Sequence, residues 1–112
     1  MPETARSEPP AENAGLPELD PVIHGKLRLA LLSLLSTVEE AEFTWLRSKT
    51  GATDGNLGAQ MLKLEEAGYV AMEKRFVVRK PQTLYRMTEA GRQALTNYIQ
   101  ALKQLLGAAI GG

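Results

Sequence analysis

The stretch TDGNLGAQMLKLEEAGYV, Thr53 to Val70, decides the fold. Leu57, Met61 and Leu64 recur at the spacing of one helical face. Thr53 or Asp54 supplies a capping oxygen ahead of them, and Gly68 suits a left-handed end. Yet the first turns carry Gly55 and Gly58, then Ala59, and a mid-helix glycine costs about 1 kcal/mol relative to alanine. With the stripe inward and about 100° per residue, Gly55, Ala59 and Leu62 point away from the core. Asn56 and Lys63 stand beside them, and Gly58 lies on the opposite flank. The glycines either admit a neighbouring helix or leave the backbone bare to an external surface. A phosphate-cradling enzyme loop fails on spacing. Gly51, Gly55 and Gly58 match neither phosphate-binding glycine pattern, and no strand precedes them.

Upstream, FTWLRSKT (43–50) makes a short helix through Phe43 and Leu46, with Trp45 offset, and Gly51 stops it. A helix of about eight residues, a tight turn and a second helix in series follow helix-turn-helix grammar. Before them, LDPVIHGKLRLALLSLL (19–35) reads as a helix from Pro21, capped by Asp20, with Ile23, Leu27, Ala30, Leu31, Leu34 and Leu35 in register. TVEEAE (37–42) is a polar link, and its Glu39, Glu40 and Glu42 are read as a solvated run. Downstream, YVAMEKRF alternates, with Val70, Met72 and Phe76 on one face. VVRKPQ is the turn, with Pro81 where no ladder donor is needed, and TLYRM returns. A final helix, capped by Thr88, runs to Leu106 with the stripe Leu95, Tyr98, Ile99, Leu102, Leu105 and Leu106; residues 107–112 are expected to fray. The predicted architecture is mainly α with a small β-hairpin: a winged helix-turn-helix, ordered helix-helix-helix-hairpin-helix, over residues 19–106.

Composition sets the limits. A chain of 112 residues with 44% hydrophobic content has one small core. Without cysteine and with a single histidine it has no disulfide, thiolate site or multi-histidine metal cluster. No cofactor is expected. The longest apolar run, Leu29 to Leu35, is far shorter than a membrane span, and the first residues lack a secretory pattern. A soluble intracellular protein is the expectation. The net charge of zero hides an asymmetry: residues 1–20 hold one base against five acids, residues 21–112 twelve bases against eight acids. The Pro-rich acidic tail, 1–18, is expected to be disordered. It is either a solubilising arm or a strand that competes with DNA.

LDPVIHGKLRLALLSLL, TDGNLGAQMLKLEEAGYV and RKPQTLYRMTEAGRQAL together resemble the small winged-helix transcriptional regulators allied to the MarR and ArsR groups. The resemblance spans roughly Leu19 to Leu106. It implies a prokaryotic homodimer, cytoplasmic and nucleoid-associated, that binds double-stranded DNA, with terminal helices as the dimer surface. The sequence departs from the family pattern at Gly58, often serine there, and Leu62, often polar or basic there. Both changes remove possible phosphate contacts, so binding through this helix is expected either to be weak or to lean on the wing.

The recognition helix, about 53–67, offers Thr53, Gly55, Asn56, Ala59, Gln60 and Lys63. Small residues let the backbone approach DNA. Asn56 and Gln60 suit adenine edges and Lys63 a phosphate. In the wing, 75–84, the candidates are Arg75, Arg79, Lys80, Gln82 and Thr83. From Lys74 to Arg86 there are five bases and no acid, and a cationic tip suits a minor groove or the backbone. The alternative for the wing is a solvated hairpin whose charge blocks edge pairing. The candidate dimer residues are Ile23, Leu27, Leu95, Tyr98, Ile99, Leu102, Leu105 and Leu106. His24 is read as a helix-packing residue, and Trp45 and Phe43 as core or core edge. No catalytic constellation is present, and any effector is unknown. Two classes remain: a sequence-specific dimeric regulator, and a winged helix used as a protein-interaction module.

Overall fold

The structure, a computed structural model, describes the backbone of residues 15–110 and the side chains of residues 15–108. Most of the acidic tail and the final glycines lie outside the described residues. Four helices and three strands follow in order: α1 (Lys26–Leu35), β1 (Ala41–Glu42), α2 (Phe43–Thr50), α3 (Asp54–Glu66), β2 (Val70–Val77), β3 (Lys80–Met87) and α4 (Glu89–Ile110). The sheet is antiparallel with order β1-β3-β2. The winged helix-turn-helix architecture is therefore present, with a strand more than the sequence reading contained.

Local chemistry explains most boundaries. Gly51 ends α2 at φ 72°, and its N–H donates to Arg47 O at 2.8 Å. Thr53 caps α3, its hydroxyl accepting from Asn56 N–H at 3.2 Å. At the other end Tyr69 N–H donates to Leu64 O and Gly68 N–H to Glu65 O, both at 2.9 Å, with Gly68 at φ 81°. This paired bonding ends a helix through a left-handed glycine. Thr88 caps α4, its hydroxyl accepting from Gly91 N–H at 3.0 Å.

Three boundaries differ from the sequence reading. The first helix begins at Lys26, not Pro21. Asp20 turns the chain instead, accepting Val22 N–H at 2.9 Å on its side chain and His24 N–H at 2.8 Å on its backbone oxygen. The hairpin turn is two residues, Val78 and Arg79, both with positive φ, and Lys80 and Pro81 belong to β3. Pro81 faces Phe76 one step from the closing pair Val77–Lys80. That is a non-hydrogen-bonded position, so its missing N–H leaves no gap in the β2 ladder. Finally, α4 continues through the segment expected to fray, to Ile110.

The core is built from Ile23, Leu31, Leu32, Leu35, Leu46, Leu57, Met61 and Leu64, all fully buried. Val70, Tyr85, Leu95 and Tyr98 close it. Ile23, Leu95 and Tyr98, expected at a dimer surface, thus face inward within a single chain. Leu27, Leu102 and Leu105 are half-buried, and Ile99 and Leu106 are exposed. Phe76, read as sharing the inward face of β2 with Val70, lies beyond the core and is 77% exposed.

Candidate nucleic-acid interface

The outward surface of α3 is formed by Gly55, Asn56, Ala59, Leu62 and Lys63, all exposed. A side chain added at Gly55 or Gly58 would meet no atom within 4 Å. Among the described residues no other element approaches these glycines, so packing within the described fold does not account for them. Helix N-termini present unbonded N–H groups and a positive dipole end. The acid at this end, Asp54, is paired with Arg47 at 2.6 Å rather than capping the helix. Arg47 is a cation the sequence reading overlooked; it sits seven residues ahead, in α2.

Two of the polar candidates are tied internally. Arg28 donates to Gln60 Oε1 at 2.5 Å, and Gln60 Nε2 donates to Asn56 Oδ1 at 3.2 Å. Both ends of the Gln60 amide are thereby engaged. Asn56 is exposed, and its side-chain nitrogen has no hydrogen-bond partner among the described residues. Arg28 also holds the chain ahead of α1, donating to the backbone oxygens of Val22 and Pro21. Thr53 is exposed, but its hydroxyl serves the helix cap.

The wing has two unlike faces. Cross-strand pairing places Glu73 opposite Leu84 and Arg75 opposite Gln82 on one face. There Arg75 donates to Glu40 through both terminal nitrogens, at 3.0 and 3.3 Å, and to Glu73 at 3.0 and 3.1 Å. Gln82 donates to Glu42 at 2.7 Å. The hydrogen bonds it donates to Glu73 and Glu40 raise the Arg75 guanidinium above its ordinary value. Arg75 in turn holds the Glu73 carboxyl below the usual carboxylate range. Glu40 and Glu42, read as a solvated run, brace this face through the short strand β1. The opposite face carries Lys74, Phe76, Pro81 and Thr83. Among the described residues no ion pair or hydrogen bond engages the side chains of Lys74, Arg79 or Lys80.

Where α3, β2 and α4 meet, Tyr69 O accepts Thr88 N–H at 3.0 Å, and Thr88 Oγ1 donates to Gly68 O at 2.6 Å. Gly91 permits this approach: a Cβ there would stand 2.1 Å from Tyr69 O. The Tyr69 hydroxyl donates to Asp20. That bond, then burial, pushes its pKa up to about 12. His24 contacts the Tyr98 hydroxyl through Nδ1 at 2.9 Å, which ties the same N-terminal segment to α4. A groove of about 690 Å³ runs along the outer side of α1, lined by Leu27, Ala30, Leu34, Thr50 and Asn56 among others. No group of three metal-ligating side chains occurs among the described residues, and none of their helices is long and apolar enough to cross a membrane.

Comparison with known proteins agrees with this geometry. An uncharacterised protein of Methanocaldococcus jannaschii is 37% identical over 84 residues, covering 75% of this chain and 91% of the relative. A transcriptional regulator homologue from Pyrococcus horikoshii superposes with a TM-score of 0.73 at 22% identity, over 80% of this chain and 88% of that one. The transcriptional repressor BigR from Xylella fastidiosa gives a TM-score of 0.56 at 26% identity, over 73% and 76%. The family model of the winged helix DNA-binding domain matches residues 27–106, and the chain belongs to that family.

Proposed function

We propose that this protein is a homodimeric transcriptional regulator that places α3 in the major groove of DNA and the wing on an adjacent minor groove or backbone. The wing carries this reading. Among the described residues its cations Lys74, Arg79 and Lys80 have no ion-pair partner, and no acid lies between Lys74 and Arg86 in sequence. Arg79 and Lys80 bind phosphate or groove edges, and Thr83 adds a neutral contact. On α3, the bare backbone at Gly55 and Gly58 supports close approach, and Ala59 adds no bulk. Asn56 reads a base edge and Lys63 holds a phosphate. Gln60, occupied by Arg28, positions Asn56 instead of reading DNA itself. Arg75 and Gln82 shape the wing through their glutamate partners.

The dimer surface in this reading is narrower than the sequence suggested. The second half of α4 presents Ile99, Leu102, Leu105 and Leu106 on one side, and the α1 groove presents Leu27. A two-fold pair using these surfaces matches a two-fold DNA site.

Fluorescence anisotropy of a labelled duplex, repeated across a salt series, tests the function. The expected result is steep salt dependence, flattened in the Arg79→Ala/Lys80→Ala double variant by about one to two ions per protomer. No binding at low salt by a folded dimer overturns it. That outcome favours the second reading, a protein-interaction module, for which the relevant observation is Leu62, 52% exposed in the middle of α3.

A further inference from the structure

The tip of the wing is built against the ordinary rules for a hairpin. A two-residue turn with positive φ at both positions favours Asn-Gly. Here the positions are Val78 at φ 49° and Arg79 at φ 67°. A β-branched residue in that region is strained. Val78 is also 90% exposed, and Phe76 just behind it is 77% exposed. Apolar side chains at a strained, solvated apex contribute nothing to the core, and strain of this kind clusters where a chain meets a ligand.

The surroundings define that ligand. Phe76 stands opposite Pro81, and Lys74 lies on the same face two residues down the strand. Arg79 and Lys80 flank the apex. The other face of the hairpin is braced by Glu40 and Glu42, which stiffens the base and leaves the tip projecting. An apolar point edged with cations that no described residue pairs matches a slot with a stacked apolar floor and anionic walls. The minor groove of duplex DNA has this chemistry, and proteins that kink DNA insert such side chains between its base steps.

We propose that Phe76 and Val78 form a wedge that enters the minor groove, partly unstacks one base step and bends the duplex. This inference rests on the DNA-binding reading above and adds a mode of recognition to it. The wing selects sites by their deformability and favours pyrimidine–purine steps, which unstack readily.

The test uses the full chain and two end-labelled duplexes of about 30 base pairs, one with central TA steps and one a stiff A-tract. Energy transfer between the ends reports bending, and anisotropy reports affinity. Wild-type protein is expected to bend the TA duplex by some 20–90° and to prefer it over the A-tract. Phe76→Ala and Val78→Asn are expected to abolish the bend and remove the preference, with a loss of about fivefold or more on the TA duplex. Asn suits the turn better than Val, so Val78→Asn keeps or raises the melting temperature, and its loss of bending cannot be assigned to unfolding. Arg79→Ala/Lys80→Ala weakens both duplexes alike. Variants that bind and bend like the wild type overturn the wedge, as does wild-type binding without bending, and both leave DNA binding intact. Absence of wild-type binding to either duplex at low salt overturns the underlying reading and the wedge together.

Discussion

Replacing Gly91 by alanine perturbs the joint between α3, β2 and α4 directly. The new Cβ would lie 2.1 Å from Tyr69 O and 2.9 Å from the same carbonyl carbon. Ordinary contact begins near 3.4 Å, so the two segments must part by more than 1 Å. Neither neighbour is the end of a flexible side chain. Parting them strains the Thr88 N–H bond to Tyr69 O and the Thr88 hydroxyl bond to Gly68 O. Each is worth about 1 kcal/mol net. Overpacking adds about 1–3 kcal/mol, and alanine's better helix propensity returns at most about 1 kcal/mol. The expected loss is about 2–4 kcal/mol, a large part of the stability of so small a domain. Urea unfolding followed by the fluorescence of Trp45, the single tryptophan, measures it. With a slope of about 2 kcal/mol per molar urea, the midpoint falls by roughly 1–2 M. Gly55→Ala and Gly58→Ala are the internal controls. The same methyl meets nothing there, so each is expected to stabilise by up to about 1 kcal/mol. A Gly91→Ala protein as stable as wild type would refute the close approach on which this reasoning rests.

Further outcomes follow from the interface. The stabilising alanines at Gly55 and Gly58 are expected to weaken DNA binding, because their methyl groups stand between the α3 backbone and the duplex; anisotropy would show affinity and stability moving in opposite directions. Glu40→Gln releases Arg75 from its bidentate partner and removes a negative charge beside the wing. DNA affinity should rise with little change in melting temperature, and unchanged affinity would mean that Arg75 stays clear of DNA. Ile99→Asp and Leu106→Asp are expected to convert a dimer to a monomer by light scattering while the helical circular dichroism persists. The Tyr69–Asp20 bond raises the Tyr69 pKa, so its stabilisation is full below pH 10, the value of an unfolded tyrosine, and fades as pH climbs toward about 12. The gap in melting temperature between wild type and Tyr69→Phe should be constant from neutral pH to about 9 and close above 10; a gap that persists at higher pH would contradict the assignment.

The helix-turn-helix was readable because its signals are local. Gly51, Thr53 and Gly68 act within a few residues of where they stand, and the α3 stripe needs only its own periodicity. The misreadings share a distant partner. Asp20–Pro21 looks like a helix start, but the carboxylate is engaged by Tyr69, 49 residues on. The strand β1 is two residues long and exists only because it finds Leu84 and Tyr85. The glutamates 40 and 42 look solvated until the register brings Arg75 and Gln82 to them. Gly91 carries no signal of its own, since what forbids a side chain there is the Tyr69 backbone. An apolar stripe does not declare whether it faces its own core or another copy, and so sequence alone places Ile23, Leu95 and Tyr98 with a subunit surface. The tip at Val78–Arg79 lacks turn chemistry altogether, and the proline nearby drew the turn toward itself.

Tyr69 is a mechanical hub. Its N–H ends α3, its oxygen starts α4, its hydroxyl holds the N-terminal segment, and the next residue opens the hairpin. There is no slack linker among these parts. The long helix α4 spans 22 residues, about 33 Å, so it acts as a rod clamped at one end. A tilt of about 10° at the clamp carries its far end by roughly 6 Å at that length. Conversely, whatever grips the far end gains leverage over α3 and the wing. In the proposed pair, the separation of the two recognition helices is set at this clamp, where a single methyl group at Gly91 is enough to change the angle.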